Sequence, residues 1–335
     1  MMIPQFVYLV LVVGVLGVGF ERYRTRFEKR ELTLAFVGAL LVLVGMLAPT
    51  VVTLLSGAEI AEFAAGVAVA TAVGAAILLR RRTVQNERRF NSLIRELTIR
   101  DVPTDEPDEN TIYIVIPAYN EAETIVPVVE SLPESLFDRR IVPLVVSDGS
   151  SDGTARVAHS TDALVVEHPV NTGQCSSLKT GFEIARRCQA EIVVGMDADG
   201  QHRGDEVQRL VEPIVEDDAD YVVGSRYRGT DASENGPVRR VGIWTFTTLI
   251  NVMTKSSITD ATNGFRALTI DAFEHISWVE ERFCAVELLV EVRKNGLRLQ
   301  EVPVTVERRQ ASTTKKPKLG YGIGIARTLL GSYLR

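Results

Sequence analysis

From residue 111 onward, short apolar runs alternate with stretches of helical periodicity, and this alternation constrains the fold more than any other feature of the chain. The runs that predict strands are Ile112–Ile116, Val142–Ser147, Ala163–Val166, Ile192–Met196 and Tyr221–Val223. The intervening segments that predict helices are Glu123–Ser131, Gly153–His159, Ser177–Arg187 and Glu206–Val215. Such alternation is typical of an α/β domain in which helices cover both faces of a mostly parallel sheet. We therefore predict a Rossmann-like α/β domain.

The first hundred residues have a different character, because they contain three long apolar stretches. These stretches cover about residues 4–20, 32–55 and 60–79. A helix needs about 20 apolar residues to cross the hydrocarbon of a bilayer, so the second and third qualify and the first is marginal. We predict a transmembrane module of three helices over residues 1–83.

Basic residues predict the orientation of this module. The loop after the first stretch carries five basic residues between Arg22 and Arg30, and Arg80–Arg82 follow the third stretch, whereas the turn around Ser56–Glu59 has none. Basic residues mark the cytoplasmic side. We therefore expect a multi-pass protein of the cell membrane with a cytoplasmic α/β domain. The membrane helices also offer a surface through which a homo-oligomer could assemble.

Two flanking segments separate or follow these parts. Residues 84–100 predict an amphipathic helix, which would lie on anionic headgroups or pack on the α/β domain, and residues 101–110 predict an acidic linker. Residues 311–335 are basic and then apolar, which suits either a membrane surface or a terminal helix packed on the domain. The α/β domain itself is assigned to residues 111–310.

Charge and cysteine content exclude several classes of protein. Residues 101–335 carry 25 basic against 36 acidic residues, and this acidity argues against nucleic-acid binding. The three cysteines are isolated, lack metal-ligand spacing and predict small, partly buried side chains in a reducing compartment. With only four histidines, a zinc site is not expected.

The sequence Asp197-Ala198-Asp199-Gly200-Gln201-His202 follows the fourth apolar run directly. Open α/β sheets bind ligands at the carboxyl edge of their strands. Carboxylate oxygens suit Mg²⁺ or Mn²⁺, which also hold substrate phosphates. The spacing therefore predicts a metal–diphosphate site, although such pairs also start turns or cap helices.

Four other strand ends carry polar or glycine-rich turns. They are Pro117–Glu121, Ser147–Thr154, Asn171–Gly173 and Gly224–Arg226. Five such turns in series at one sheet edge predict a ligand crevice. No G-x-G-x-x-G follows the first strand and no G-x-x-x-x-G-K-[ST] occurs, which argues against a dinucleotide-binding oxidoreductase and a P-loop NTPase.

Taken in order, these motifs resemble family 2 glycosyltransferases of the GT-A fold, and most of all their dolichyl-phosphate mannose and glucose synthase group. The similarity covers about residues 111–310 and rests on V-I-P-A-Y-N-E, D-G-S-S-D-G-T, N-T-G, D-A-D-G-Q-H, G-S-R and T-D-A-T-N-G-F-R. It implies a GT-A domain that transfers a hexose from a UDP- or GDP-sugar with the help of Mg²⁺ or Mn²⁺.

The resemblance also implies roles for individual residues. Those implied to bind the nucleotide sugar are Pro117, Tyr119, Glu121, Asp148, Asn171, Gly173 and Asp197. Those implied to hold the divalent metal are Asp197, Asp199 and Gln201. The remaining catalytic or acceptor-side candidates are Arg226, Arg239, Arg240, Asp260 and Arg266, beside Asp199. Arginine suits phosphate because its guanidinium binds phosphate oxygens bidentately. Asp260 and Arg266 could instead form a pair that braces their loop.

Two positions depart from the family pattern. Ser147 stands where the family usually has an acidic residue, which affects base selection more than catalysis. Gln174 stands where a lysine is usual, which places more of the diphosphate charge on the metal and the arginines.

The acceptor follows from the chemistry of the nucleophile. A sugar hydroxyl needs a general base, whereas a polyprenyl phosphate is already ionised at neutral pH. Neither a Glu-Asp pair after the fifth strand nor a Gln-x-x-Arg-Trp motif is present, so we predict inverting transfer to dolichyl or polyprenyl phosphate. One alternative is transfer to the hydroxyl of a lipid-linked oligosaccharide, glycerolipid or polysaccharide, with Asp260 or a glutamate in 280–287 as base. The other is a catalytically silent membrane scaffold.

Overall fold

The structure is a computed structural model that describes residues 57–100, 102, 110–233, 236–280, 284–309 and 328. The chain divides into two compact units, residues 1–85 and residues 86–335. The described helices are α1 (Gly57–Arg100), α2 (Ile125–Glu130), α3 (Thr154–Ala158), α4 (Gln174–Arg187), α5 (Val207–Val215), α6 (Pro237–Thr254), α7 (Ile270–Glu274) and α8 (Cys284–Lys294). The described strands are β1 (Thr111–Ala118), β2 (Ser135–Leu136), β3 (Arg139–Asp148), β4 (Leu164–His168), β5 (Ile192–Gly195), β6 (Tyr221–Asp231), β7 (Arg266–Thr269) and β8 (Leu299–Val306).

All eight strands belong to one mixed sheet in the second unit. The order along it is β2-β3-β1-β5-β7-β6-β8, and β4 also pairs with β3. β1 pairs in parallel with both β3 and β5, while β7 runs antiparallel between β5 and β6. The five predicted strands and four predicted helices are thus confirmed as elements, and the sheet differs from the expectation by its antiparallel members.

The core consists of two apolar clusters that are divided by the sheet. Tyr113 and Val115 of β1 belong to one cluster, whereas Ile112, Ile114 and Ile116 belong to the other. Successive side chains of a strand point to opposite faces, so a strand that is buried on both faces needs a continuous apolar run. The buried strands β1 and β5 meet this requirement, and this is why they were recognisable in the sequence.

The predicted amphipathic helix, residues 84–100, forms the last part of α1. Its Ile94 and Ile99 side chains are buried, and the Thr98 hydroxyl donates to the carbonyl of Glu167 over 3.4 Å. The packed alternative is therefore confirmed for this side of the helix. Phe90, Leu93 and Leu97 on another side remain exposed.

The predicted membrane module is described only in part. The first two apolar stretches lie outside the described residues, and the third lies on α1. Within the part of the chain that the structure describes, no helix is both long and apolar enough to cross a membrane. Most of the predicted linker and nearly all of the predicted tail also lie outside the described residues.

The cysteines differ from the expectation of three isolated side chains. Cys175, near the start of α4, and Cys284, at the start of α8, form a disulfide, while Cys188 is free and buried. The two partners are 109 residues apart, so local spacing could not reveal the pair.

Candidate active site

The loops that follow β1, β3, β4 and β5 meet at one edge of the sheet, because these four strands are parallel. Direct contacts join the loops. The backbone N–H of Glu121 donates to the Thr154 hydroxyl over 3.0 Å, and the Gln174 amide donates to Asp197 Oδ1 over 2.6 Å. Four of the five predicted polar turns thus meet at one edge of the sheet, and we call the space between them the crevice. The fifth, Gly224–Arg226, is not a turn, because β6 continues through it to Asp231.

Hydrogen bonds to the loop that follows β3 fix the conformation of the turn after β1. Asn120 has a left-handed φ of 54°, and its Oδ1 accepts from the Ser151 N–H over 2.8 Å. Asp152 accepts from the N–H of Ala122 over 3.0 Å. In this arrangement Pro117 is half-buried and Tyr119 is exposed.

Asp148, at the end of β3, is buried and fully engaged by the protein. Its Oδ1 lies 2.9 Å from His168 Nδ1 and accepts from the Thr172 N–H over 2.8 Å, while its Oδ2 accepts from the Gly173 N–H over 2.7 Å. Burial would raise the pKa of Asp148, but these hydrogen bonds outweigh it and hold the pKa below its ordinary value. Asp148 therefore positions the 171–173 turn, and its role as a nucleotide ligand stays a prediction.

A glycine permits the close approach between these two turns. Gly149 has a φ of 66°, and a Cβ there would lie 2.4 Å from the backbone nitrogen of Asn171. A larger residue would separate the turns. Asn171 itself is exposed, and Gly173 lies at the start of α4.

Asp197 and Asp199 form the acidic centre of the crevice. Asp199 is buried and accepts from the Gln201 N–H over 3.1 Å. Burial and the negative charge of Asp197 raise the pKa of Asp199, although Arg309 acts in the opposite direction. Gly264 faces this pair, since a Cβ there would lie 3.0 Å from both carboxylate oxygens of Asp197.

The donor set fits a Mg²⁺ or Mn²⁺ ion. Two neighbouring carboxylates whose charges are only partly compensated attract a cation. The side-chain nitrogen of Gln201 donates to the carbonyl of Glu307, so the side-chain oxygen of Gln201 is the atom that would bind a metal. Among the described residues, no cluster of three His, Cys, Asp or Glu side chains could hold a metal. Completion of a site at Asp197, Asp199 and Gln201 therefore needs water or substrate oxygens, which is the usual arrangement for Mg²⁺.

Arg309 was missed by sequence reasoning and lies in this centre. Its Nη2 is 3.2 Å from Glu121 Oε1, and its Nε is 3.4 Å from Asp199 Oδ2. The guanidinium thus bridges the turn after β1 and the acidic turn after β5. Its position follows from β8, which ends three residues earlier, and no local motif marks it.

His202 holds the acidic turn after β5 through contacts of both its ring nitrogens. Its Nδ1 accepts from the Asp197 N–H over 3.2 Å, and its Nε2 lies 3.0 Å from Asn263 Oδ1. The His202 ring also stacks on Phe265 at 4.8 Å. Since Asn263 donates in turn to the carbonyl of Gly224, one chain of contacts connects the acidic turn with strand β6.

The acceptor-side candidates are arranged differently from the prediction. Arg226 of β6 pairs with Asp260, whose Oδ2 accepts from the Arg226 Nε over 2.6 Å, and both residues are buried. Glu301 fixes the same turn by accepting from the Asp260 N–H over 2.9 Å. Asp260 therefore braces a loop, as in the structural alternative, but its partner is Arg226 and not Arg266.

Arg266 is occupied within the core. Its guanidinium donates to the Tyr221 hydroxyl over 2.7 Å and to the carbonyls of Asn263, Ala261 and Ala285. A buried arginine with these acceptors stabilises the fold, and its role on the acceptor side stays a prediction. Arg240, by contrast, is exposed and 3.8 Å from Asp231, and Arg239 precedes it on α6.

Comparison with known proteins identifies the class to which this fold and crevice belong. Residues 113–277 match the model of glycosyl transferase family 2. The chain is 30% identical over 218 residues to a UDP-N-acetylglucosamine–dolichyl-phosphate N-acetylglucosaminyltransferase of Methanococcus voltae, covering 58% of this chain and 85% of the relative. It is 32% identical over 226 residues to a polyprenol monophosphomannose synthase of Mycolicibacterium smegmatis, covering 64% and 84%. The chain therefore belongs to glycosyl transferase family 2.

Solved structures agree on the fold. Glucosyl-3-phosphoglycerate synthase from Mycobacterium tuberculosis, crystallised with Mn²⁺, UDP and phosphoglyceric acid, superposes with a TM-score of 0.54. The match covers 67% of this chain and 78% of that protein at 21% identity. The α/β domain thus has the GT-A fold.

Proposed function

We propose that this protein transfers a hexose from a UDP- or GDP-sugar to dolichyl or polyprenyl phosphate, with inversion at the sugar. The observation that carries the proposal is the convergence of Asp197, Asp199 and the strand-end turns on one crevice. The relatives support it because the printed names of two of them specify a dolichyl-phosphate or polyprenol acceptor.

The nucleotide is assigned to the turn after β1. Tyr119 and Pro117 offer apolar surface for a base, and Glu121 offers a carboxylate that can accept from its N–H groups. Asp148 holds the 171–173 turn, so it serves the donor site by positioning that turn beside the acidic centre.

The diphosphate is assigned to Asp197, Asp199 and Gln201 through a divalent metal. A bound Mg²⁺ or Mn²⁺ would neutralise the charge that develops on the leaving diphosphate. Gln174 cannot contribute a cation of its own, because its neutral amide donates to Asp197. Arg309 is close enough to the acidic centre to add positive charge there.

A phosphate nucleophile suits the acceptor side. Asp260 is fully buried and bonded to Arg226, which makes it a poor general base for a sugar hydroxyl. Arg239 and Arg240, at the start of α6, are assigned to the positive charge that an ionised lipid phosphate requires, while Arg226 on β6 holds the Asp260 loop.

A membrane location suits the same acceptor. Besides the apolar stretches of residues 1–83, α6 exposes an apolar row that comprises Val241, Trp244, Leu249 and Val252. Trp244 and Val252 are 68% and 72% exposed, which is unusual for large apolar side chains on one helix. We assign this row to the bilayer surface, with the α/β domain on the cytoplasmic side.

The test is transfer of labelled sugar into solvent-extractable lipid. Membranes with the full-length protein would receive dolichyl phosphate, Mn²⁺ and a panel of UDP- and GDP-sugars. Label should enter an acid-labile lipid with wild type and with Asp218→Ala, which alters an exposed aspartate on the surface, and should be absent with Asp199→Ala. Label that enters only hydroxyl acceptors would overturn the lipid-phosphate assignment, and absence of nucleotide-sugar binding would indicate the scaffold.

A further inference from the structure

A second cleft lies outside the crevice described above. It has a volume of about 280 Å³ and is formed by the end of α1, the second half of α4, and α7 with the segment that follows it. None of the residues implied in sugar transfer lines it. Its walls combine cationic, aromatic and apolar side chains, which is a composition suited to an amphiphilic anion.

The cationic side of the cleft consists of Arg95, Lys179 and Arg187. Two carboxylates, Glu96 and Glu183, also line it, but Glu183 already accepts from Arg186 and Arg187. Arg187 uses its Nε in that contact, and a guanidinium has further N–H donors. The lining thus contains three cationic side chains and two carboxylates, one of which is also bound by Arg186 outside the cleft.

The aromatic side is held rigidly by ring contacts. Trp278 packs edge-on against Phe182 at 5.3 Å and against Phe273 at 6.2 Å, and the Lys179 ammonium lies 5.6 Å over the indole. Among the described residues, the buried indole N–H of Trp278 has no acceptor. An acceptor oxygen supplied by a ligand would satisfy this donor.

We propose that this cleft binds the phosphate of an anionic membrane lipid. The choice of a lipid follows from α1 beside the cleft, where Phe90, Leu93 and Leu97 are exposed and recur at intervals of three and four residues. Ser92, Arg95, Glu96 and Ile99 line the cleft from the adjoining side of the same helix. A helix that lies on a bilayer through its apolar row would thus present the cleft to the headgroups.

Charge beside this row favours an anionic surface. Arg89 and Arg100 are exposed at its two ends, and basic residues near a bilayer are attracted to anionic headgroups. The proposal depends on the proposed function only for membrane association; the cleft requires neither a nucleotide sugar nor a metal.

Trp278 provides a direct reporter, because the chain has only two tryptophans and the other, Trp244, is exposed. The full-length protein with Trp244→Phe, in neutral detergent micelles, would be titrated with phosphatidylglycerol and separately with phosphatidylcholine. We expect a saturable change in Trp278 emission with phosphatidylglycerol only. An equal response to both lipids, or no saturable response, would overturn the proposal.

A matched pair of variants tests the role of the cleft arginine. In the same background, Arg187→Gln should weaken the response to phosphatidylglycerol roughly tenfold, the usual effect of one charge-assisted hydrogen bond. Arg186→Gln removes a neighbouring arginine that also pairs with Glu183 but does not line the cleft, and it should bind like the parent. Equal weakening by both variants would indicate general surface charge.

Inorganic phosphate distinguishes a lipid site from a site for small anions. Saturation of the emission change by inorganic phosphate at the same concentration as phosphatidylglycerol would overturn the lipid assignment. Because the titration contains no sugar donor, its failure would leave the proposed transferase activity untouched, and failure of transfer would leave this result standing.

Discussion

The strands β3 and β5, which flank β1 in the sheet, lead to buried aspartates in contrasting electrostatic environments. Asp148 accepts hydrogen bonds from Thr172, Gly173 and His168, and its pKa lies below the ordinary value. Asp199 has a like charge beside it and fewer protein donors, and its pKa lies above the ordinary value. The protein stabilises the first charge itself and compensates the second only in part, so burial alone does not separate the two kinds of carboxylate.

The largest expected effect comes from Asp199→Asn. Loss of this charge should lower the rate of sugar transfer on the order of a thousandfold, because the charge that holds the metal is removed. The melting temperature without metal should not fall, since a buried charge that the protein compensates poorly is replaced by a neutral amide. Asp218→Asn serves as the control. A variant with more than about a tenth of wild-type activity would contradict the assignment.

Asp148→Asn should mainly lower the stability of the folded protein. The amide cannot accept from all of the donors that surround Asp148, so we expect a loss of about 2–4 kcal/mol in the free energy of unfolding. Asp162→Asn, at an exposed position, should be neutral. Thermal and denaturant unfolding measure the difference, and an unchanged stability would mean that the hydrogen bonds of Asp148 do not hold the 171–173 turn.

The difference in stability between wild type and Asp148→Asn should also depend on pH, and the lowered pKa of Asp148 fixes the direction. The pKa of Asp148 is lowered in the folded state, so its contribution to stability is present above the ordinary pKa and is lost as the pH falls through the folded pKa. The stability gap between wild type and Asp148→Asn should be full near pH 6 and should narrow below about pH 4. A gap that widens on acidification would be inconsistent with the lowered pKa.

The contrast between the two aspartates also explains what the sequence could reveal. Ile112–Ile116 and Ile192–Met196 were recognisable because strands buried on both faces are continuously apolar, and the turns that follow them were therefore placed at one edge. The short strand β7 begins with the buried Arg266, and β8 carries the buried Glu301, so neither has the pattern of a core strand. Arg266 donates to Tyr221 and Ala285, and Glu301 accepts from Asp260, and periodicity does not report these partners because they are distant in sequence.

The same limit applied to individual site residues. The motif predicted that Asp197 and Asp199 follow β5 at the edge of the sheet, but it indicated neither that Asp148 braces the 171–173 turn nor that Arg226 is the partner of Asp260. These distinctions depend on which side chains the folded chain brings within hydrogen-bond distance.

Arg309→Gln has the smallest expected effect and tests why the charge of Asp199 is only partly compensated. The guanidinium lies between Glu121 and Asp199, so it competes with a metal for the same carboxylate. Its removal should tighten Mn²⁺ binding about three- to tenfold, measured by calorimetry with the metal alone. Arg308→Gln, at the neighbouring position, should leave the affinity unchanged. Weaker Mn²⁺ binding by Arg309→Gln would show instead that the arginine holds the acidic turn in a geometry that binds the metal. The difference between Asp148, whose charge the protein compensates, and Asp199, whose charge it compensates only in part, would then require a different explanation.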